Sequence, residues 1–185
     1  MGQKVDIINS KRSRTEILKV AKILRAKYKD FAHYNRKNPL DELLFILLSV
    51  QTREIIYLRT YKAFRQIFPT FRNIADSPIE KLTDALRSAG LANQRSAVIK
   101  GIMQHLINLF GRPTLAPLKR LSDMEVEGVL LSLPGVGVKV ARCVLLYSLR
   151  RDVFPVDTHC WRVTCRLGWV NWTIRRDSPN RKDMD

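Results

Sequence analysis

A chain of 185 residues has room for one domain or two small ones, and a 45% share of hydrophobic residues with only eight glycines and eight prolines excludes an intrinsically disordered protein. Lysine and arginine number 33 against 17 aspartates and glutamates, and the net charge of +16 favours a polyanionic partner, either nucleic acid or an anionic membrane surface. The longest apolar run, Leu43–Val50, is too short to cross a bilayer, and the N-terminal residues contain no apolar segment typical of a signal peptide. We therefore expect neither a membrane-spanning nor a secreted protein.

Apolar residues at helical spacing predict most of the elements. One amphipathic helix is predicted near residue 20, a helix buried on all sides at Leu43–Val50, and another amphipathic helix near residue 100. The apolar positions of the two amphipathic segments are Ile17, Val20, Ala21 and Leu24, and Ile99, Ile102, Met103 and Leu106. Hardly any segment alternates with the period of a strand, so we predict an all-α protein of about eight helices.

Two capping signals predict where further helices begin. Ser77, followed by Pro78 and Glu80, has the pattern of an N-cap with proline at the first helical position. Ser122 and Glu125 form a second such capping box in front of an apolar helical face.

A glycine-rich turn, Pro134-Gly135-Val136-Gly137, follows the helix that begins at Ser122. Both glycines permit a positive φ, so the turn can be very short. It can also expose backbone N–H groups at the start of the next helix, which is a natural phosphate site. A plain helix–turn–helix connection explains the same residues, and from the turn alone it is the stronger interpretation.

Lys139 falls in the first turn of the helix that follows, at the positive end of the helix dipole, where a cation is disfavoured. A solvated or phosphate-contacting lysine is the simpler interpretation. A nucleophilic lysine is the other, because burial and positive surroundings keep more of the amine unprotonated.

Asp157 precedes another apolar-periodic segment and has the position of an N-cap. The same cap would hold its carboxylate in one orientation, so a structural and a catalytic role are compatible. His159 is either a helix-start histidine or a phosphate donor, and the residues leave both open. The three cysteines, Cys143, Cys160 and Cys165, form no CxxC pair and indicate mostly buried thiols in a reducing compartment.

Taken together, "LPGVGVKVA" (133–141) and "VDTHCWRVTCRLGW" (156–169) resemble the helix-hairpin-helix, glycine-proline-aspartate (HhH-GPD) superfamily of DNA glycosylases, and endonuclease III in particular. Upstream, "LLSVQT" (47–52) and "GLANQR" (90–95) resemble two further segments of that family. The resemblance covers about residues 10–170.

The resemblance implies a two-lobed, all-α fold with a DNA-binding cleft between the lobes. A helical barrel would cover residues 38–148, with the helix-hairpin-helix at about 122–149. Residues 1–37 and 149–185 would form a second helical lobe, shortened at its C-terminal end.

It also implies roles for individual residues. Lys139 matches the Schiff-base lysine and Asp157 the catalytic aspartate, at the spacing that endonuclease III uses. Gln51 matches the glutamine that fills the gap left by a flipped base, and Leu91 the leucine that wedges into the base stack, with Asn93 beside it. The remaining implied DNA contacts are Pro134, Gly135, Val136, Gly137 and His159.

Two expectations concern cofactors. Some family members hold a cation with hairpin carbonyls, which would here be those of Leu131, Leu133 and Val136. Endonuclease III usually binds a [4Fe–4S] cluster through four cysteines after the aspartate, but only Cys160 and Cys165 follow Asp157 here. We therefore expect no iron–sulfur cluster and no required cofactor.

The implied function is that of a base-excision repair DNA glycosylase with AP lyase (β-elimination) activity on damaged or mispaired bases in duplex DNA. We expect a monomer without membrane contact, in the nucleoid-containing cytoplasm of a prokaryote or the nucleus of a eukaryote. Ile46 stands where adenine-specific mismatch glycosylases carry a glutamate, which argues against that branch. Oxidised pyrimidines, mispaired thymine or uracil, and 8-oxoguanine stay open as substrates.

Two other functions compete with this one. A non-catalytic helix-hairpin-helix module that only binds DNA would fit the hairpin and the charge. A basic membrane-surface protein is disfavoured, because no helix combines a strong apolar face with a long face of lysine and arginine.

Overall fold

The computed structural model describes residues 10–29 and 34–169, with side chains from residue 14 onwards. Every regular element in this part of the chain is helical, which confirms the all-α prediction. The α-helices are Ser10–Lys27 (α1), Pro39–Ser49 (α2), Glu54–Ile67 (α3), Phe71–Asp76 (α4), Ile79–Leu86 (α5), Ala92–Phe110 (α6), Asp123–Leu131 (α7), Val138–Tyr147 (α8) and Thr158–Arg166 (α9), and two short 3₁₀-helices cover Arg87–Ala89 and Ala116–Arg120. No described helix is long and apolar enough to cross a membrane.

The described helices belong to two compact units. Tyr34–Pro155 form one unit, which contains α2 to α8. The described part of the other unit is α1 with residues 156–169, which include α9. The barrel and lobe boundaries implied by the resemblance stay a prediction.

Helix α2 is the centre of the larger unit, as its apolar sequence predicts. Leu40, Leu43, Leu44 and Leu48 are fully buried, and the helix packs against α3, α6 and α8. Asn38 caps its start, because the side-chain Oδ1 accepts hydrogen bonds from the first backbone N–H groups at 2.9 and 3.2 Å. A helix surrounded by other helices gives the unit a continuous apolar core.

Of the two predicted capping boxes, one is confirmed. Ser122 accepts a hydrogen bond from the backbone of Glu125, and the Glu125 carboxylate accepts one from the Ser122 N–H at 2.8 Å. The N-cap predicted at Ser77 is wrong, since α5 begins at Ile79 with Pro78 as its cap residue and no side-chain cap bond. Ser77 instead ends α4, and its carbonyl accepts a hydrogen bond from Lys100 Nζ at 2.6 Å.

The three cysteines form no disulfide. Cys143 and Cys165 are buried and Cys160 is half-buried. The sequence-based prediction of mostly buried thiols is confirmed on this point.

Candidate active site

The hairpin between α7 and α8 is a tight turn built on one glycine. Gly135 has φ = +72°, and a Cβ there would lie 2.8 Å from Val98 Cγ1 on α6, so any side chain would be strained twice over. Gly137 also permits a positive φ but does not adopt one: its φ is −97°, and a Cβ there would meet open space. Gly137 is the cap residue of α8, so an extended backbone suffices there.

Helix α6 packs against this hairpin. Val98 contacts Gly135, and Pro134 packs against Gly101, where an added Cβ would lie 3.1 Å from the proline ring. Ser132 Oγ lies 3.2 Å from His105 Nε2, one more link to the same helix. The hairpin is therefore fixed on a rigid helix.

The start of α8 presents free backbone donors. Gly137 provides no side-chain cap, and the first intrahelical bond is donated by the Ala141 N–H to the Gly137 carbonyl at 3.0 Å. The N–H groups of the preceding residues point beyond the helix end, as in other helix N-termini that bind anions. This arrangement suits a phosphate of a DNA backbone.

Lys139 is the second residue of α8, as predicted, and its side chain is exposed. This exposure agrees with the simpler interpretation of a solvated or phosphate-contacting lysine. Helix α8 turns Val140, Ala141 and Val144 toward the core, so the side chain at Lys139 projects away from it. Its amine can be reached by a substrate without any rearrangement of the core.

Asp157 is the N-cap of α9, as the sequence predicts. Its Oδ1 accepts a hydrogen bond from the Cys160 N–H at 2.7 Å. That bond holds the pKa of the Asp157 carboxyl below its usual value, with a smaller contribution from His159. The carboxylate is therefore ionised and fixed in orientation. His159 is exposed, and its Nδ1 lies 3.0 Å from an Arg162 nitrogen.

Gln51 and Leu91 line one cavity of about 310 Å³ in the larger unit, together with Gly135 of the hairpin. Both residues have left-handed backbones, with φ of +52° and +51° respectively. Residues other than glycine seldom adopt this conformation, and it is commonest where surrounding structure imposes it for function. Leu91 is 54% exposed, and Asn93, in the first turn of α6, lines a neighbouring cavity with it.

One residue of this region was missed in the sequence. Arg95 is buried on α6, one helical turn after Leu91, and its guanidinium donates hydrogen bonds to the backbone carbonyls of Ala89 and Val50. An arginine on the apolar side of a predicted helix was the available signal. Thr52, whose hydroxyl accepts a hydrogen bond from Arg95, has no comparable signal in the sequence.

The backbone carbonyls of Leu131, Leu133 and Val136 stay a predicted cation site. The Leu133 carbonyl accepts a hydrogen bond from the Val136 N–H at 3.2 Å and closes the turn. Within the described residues, no group of three or more His, Cys, Asp or Glu side chains could hold a metal ion.

One protein family matches most of the chain. Residues 45–182 match the model of the HhH-GPD superfamily of base excision DNA repair proteins. This chain belongs to that superfamily. The resemblance noted in the sequence is confirmed.

Individual HhH-GPD relatives are similar over most of the chain. A protein of Arabidopsis thaliana assigned by its name to the DNA glycosylases is 37% identical over 150 residues, which are 79% of this chain and 51% of the relative. Endonuclease III of Thermotoga maritima is 30% identical over 138 residues, 75% of this chain and 61% of that enzyme. The chain thus spans about half to three fifths of the length of these relatives.

The fold is also that of solved glycosylases. A trapped covalent complex of endonuclease III with DNA has a TM-score of 0.70 at 26% identity, covering 85% of this chain and 70% of the enzyme. A non-covalent complex of endonuclease III with DNA gives 0.71 at 24% identity and the same coverage. The helical HhH-GPD fold is therefore shown.

Proposed function

We propose that this HhH-GPD protein is a bifunctional DNA glycosylase with AP lyase activity on duplex DNA. The observation that carries the proposal is the exposed Lys139 in the first turn of α8, directly after the hairpin. A nucleophilic amine placed beside a phosphate-binding turn can act on the sugar of the bound strand.

Binding to the DNA backbone follows from the hairpin and the charge. The N–H groups at the start of α8 suit a phosphate, and a net charge of +16 supplies sequence-independent attraction to the strand. Leu91 and Gln51 would enter the base stack while the target nucleotide is flipped out. Flipping costs roughly a few kcal/mol, least for damaged or mispaired bases.

The proposed chemistry starts with attack of the unprotonated Lys139 Nζ on the sugar C1′. The C1′–Nζ bond forms as the glycosidic bond breaks, and the base leaves with the bonding electron pair and takes up a proton. The ionised Asp157 carboxylate stabilises positive charge on the sugar and assists the proton transfers. Ring opening then gives a Schiff base between the lysine and C1′.

Strand cleavage follows from the Schiff base. The iminium acidifies the C2′ proton, and its loss expels the 3′ phosphate with the C3′–O bond electrons. Water hydrolyses the imine, releasing Lys139 and an unsaturated aldehyde at the 3′ end. No step needs an oxidant, a reductant or a nucleotide.

Product analysis on a labelled duplex with one abasic site tests the lyase step. We expect the β-elimination product with the wild type and a loss of about 10²-fold or more in Lys139→Gln, because the nucleophile is gone. Lys62→Gln, with the same charge change on the exposed face of α3, is the control and should cleave at the wild-type rate.

Two results would overturn the proposal. Equal cleavage by Lys139→Gln would show that this lysine is not the nucleophile. Tight DNA binding by the wild type with no cleavage and no base release would leave the non-catalytic DNA-binding module. A panel of duplexes with single lesions then identifies the base, with oxidised pyrimidines, mispaired thymine or uracil, and 8-oxoguanine as the candidates.

A further inference from the structure

Arg95 is a buried arginine whose side chain joins two separate loops. It is 7% exposed, and its guanidinium donates to the Ala89 carbonyl at 3.0 Å, the Val50 carbonyl at 2.6 Å and Thr52 Oγ1 at 2.7 Å. None of the ion pairs among the described residues includes it. Burial lowers its pKa below the usual arginine value, so the site carries an energetic penalty that needs a reason.

The acceptors of Arg95 lie close in sequence to Gln51 and Leu91, two of the residues with a left-handed backbone. Val50 and Thr52 are the neighbours of Gln51, and Ala89 lies two positions before Leu91. Neither Gln51 nor Leu91 has the freedom of glycine, so each backbone must be held in place by its surroundings. One guanidinium supplies a donor to each of the two loops.

Further hydrogen bonds stabilise the same two loops. Thr52 Oγ1 donates to the Val50 carbonyl at 3.1 Å while it accepts from Arg95. The backbone N–H of Arg95 donates to the carbonyl of Leu91, the cap residue of α6, at 2.9 Å. The planar fork of arginine can span both loops, whereas the single ammonium of lysine cannot present the same directions.

We propose that Arg95 is a positioning residue that locks the loops carrying Gln51 and Leu91 in register, so that both side chains enter the base stack together. The inference rests on the proposed function, since it assigns a role within duplex DNA binding. It concerns base-stack insertion only, not the chemistry at Lys139.

A matched control exists on the same helix. Lys100 on α6 is half-buried, less deeply than Arg95, and its ammonium also donates to two backbone carbonyls, those of Ala75 and Ser77. These belong to the end of α4 and do not line the cavity of Gln51 and Leu91. Substitution of Lys100 therefore reports the structural cost of removing a half-buried cation that donates to two backbone carbonyls.

Borohydride trapping on two substrates separates positioning from stability. In Arg95→Met we expect the trapping rate on an abasic duplex to fall by about tenfold or more, since a small misplacement of positioning groups is costly. On single-stranded abasic DNA, which has no opposing stack to enter, we expect a change within about twofold. Lys100→Met should change neither rate beyond about twofold.

Fluorescence of 2-aminopurine beside an abasic-site analogue reads insertion without chemistry. The wild type should change the emission at saturating protein, and Arg95→Met should lose most of that change while it still binds. If the wild type gives no adduct on either DNA, the proposed lyase function fails, and this signal still decides the role of Arg95.

The outcomes that overturn the inference are specific. Equal loss on duplex and single strand, equal loss in Lys100→Met, or a full fluorescence change in Arg95→Met would each reduce Arg95 to a structural residue. If Arg95→Met does not fold by circular dichroism, Thr52→Val removes one acceptor at constant volume. Thr52→Val should lower the trapping rate on duplex DNA but not on single-stranded DNA, by a smaller factor than Arg95→Met. An unchanged trapping rate on duplex DNA would equally reject the inference.

Discussion

Asp157 is the N-cap of α9, and the same carboxylate is the one proposed to act in the chemistry. Its carboxylate accepts the Cys160 N–H, and that bond lowers the carboxyl pKa from its reference value of 3.8. Because the folded-state pKa is depressed, the cap contributes stability that is present above about pH 4 and is lost as the pH falls through the folded-state pKa.

We predict that Asp157→Ala lowers the free energy of unfolding by about 1 kcal/mol at pH 7, as for other N-caps, and by less below pH 4. Asp157→Asn keeps an acceptor for the Cys160 N–H, so it should retain most of the stability while base release falls. Urea unfolding and glycosylase assays on both variants check this. If Asp157→Asn kept full activity, the carboxylate would have no part in the chemistry.

The two hairpin glycines differ in what they tolerate. Gly135→Ala places a Cβ 2.8 Å from Val98 Cγ1 at a left-handed backbone, whereas Gly137 has room and an ordinary φ. We predict a loss of about 1–2 kcal/mol from backbone strain alone for Gly135→Ala, and of less than about 1 kcal/mol for Gly137→Ala.

The measurement is thermal or urea unfolding of the two hairpin variants. Gly135→Ala combined with Val98→Ala should recover the part of the loss caused by the close contact, but not the part caused by φ. Equal stabilities of the two single variants would show that the turn adopts another backbone.

At the scale of the element, α2 carries a buried acid. Glu42 is 1% exposed, and its carboxylate accepts the backbone N–H of Arg36. Desolvation raises the pKa of Glu42 above 4.5, with the Arg36 hydrogen bond acting in the opposite direction. A raised folded-state pKa means that the native state binds a proton more tightly than the unfolded chain, so stability falls as the pH rises above about 4.5.

We predict that Glu42→Gln removes this pH-dependent loss, so that the stability of the variant relative to the wild type improves between pH 4.5 and pH 7. Urea unfolding at both pH values measures the difference, and Glu80→Gln, the same substitution at an exposed position of α5, is the control. A variant that became relatively less stable with rising pH would show that the carboxylate, once ionised, is stabilised rather than penalised.

The sequence predicted those elements whose signals are local. These are the apolar run of α2, the Ser122 capping box, the start of α8 just before Lys139 and the start of α9 just after Asp157, which all depend on neighbouring residues only. The N-cap prediction at Ser77 was wrong because this residue ends α4 and its carbonyl accepts a hydrogen bond from Lys100, which is remote in sequence. Long-range partners decide such cases.

The candidate site was predicted in the same uneven way. The positions of Lys139 and Asp157 on their helices could be derived from turn and cap signals. The left-handed backbones of Gln51 and Leu91, and the hydrogen bonds of Arg95 that flank them, depend on three segments that meet only in the fold. No local pattern contains that information.

For the whole molecule, the HhH-GPD fold and the net charge of +16 support the proposed DNA binding more strongly than the proposed bond cleavage. Lys139 belongs to the unit of residues 34–155, and Asp157 belongs to the other unit. Neither the fold nor the charge alone predicts a covalent bond between Lys139 and DNA. Detection of that bond is therefore the most specific evidence for the proposed chemistry.

The most direct test is to mix the protein with duplex DNA containing an abasic site, reduce with borohydride, digest the adduct and locate the modified peptide by mass spectrometry. We predict a sugar adduct on Lys139 in the wild type and in Lys62→Gln, and none in Lys139→Gln, although that variant still binds the duplex. An adduct of equal yield in Lys139→Gln, or one that maps to another lysine in the wild type, would contradict the account.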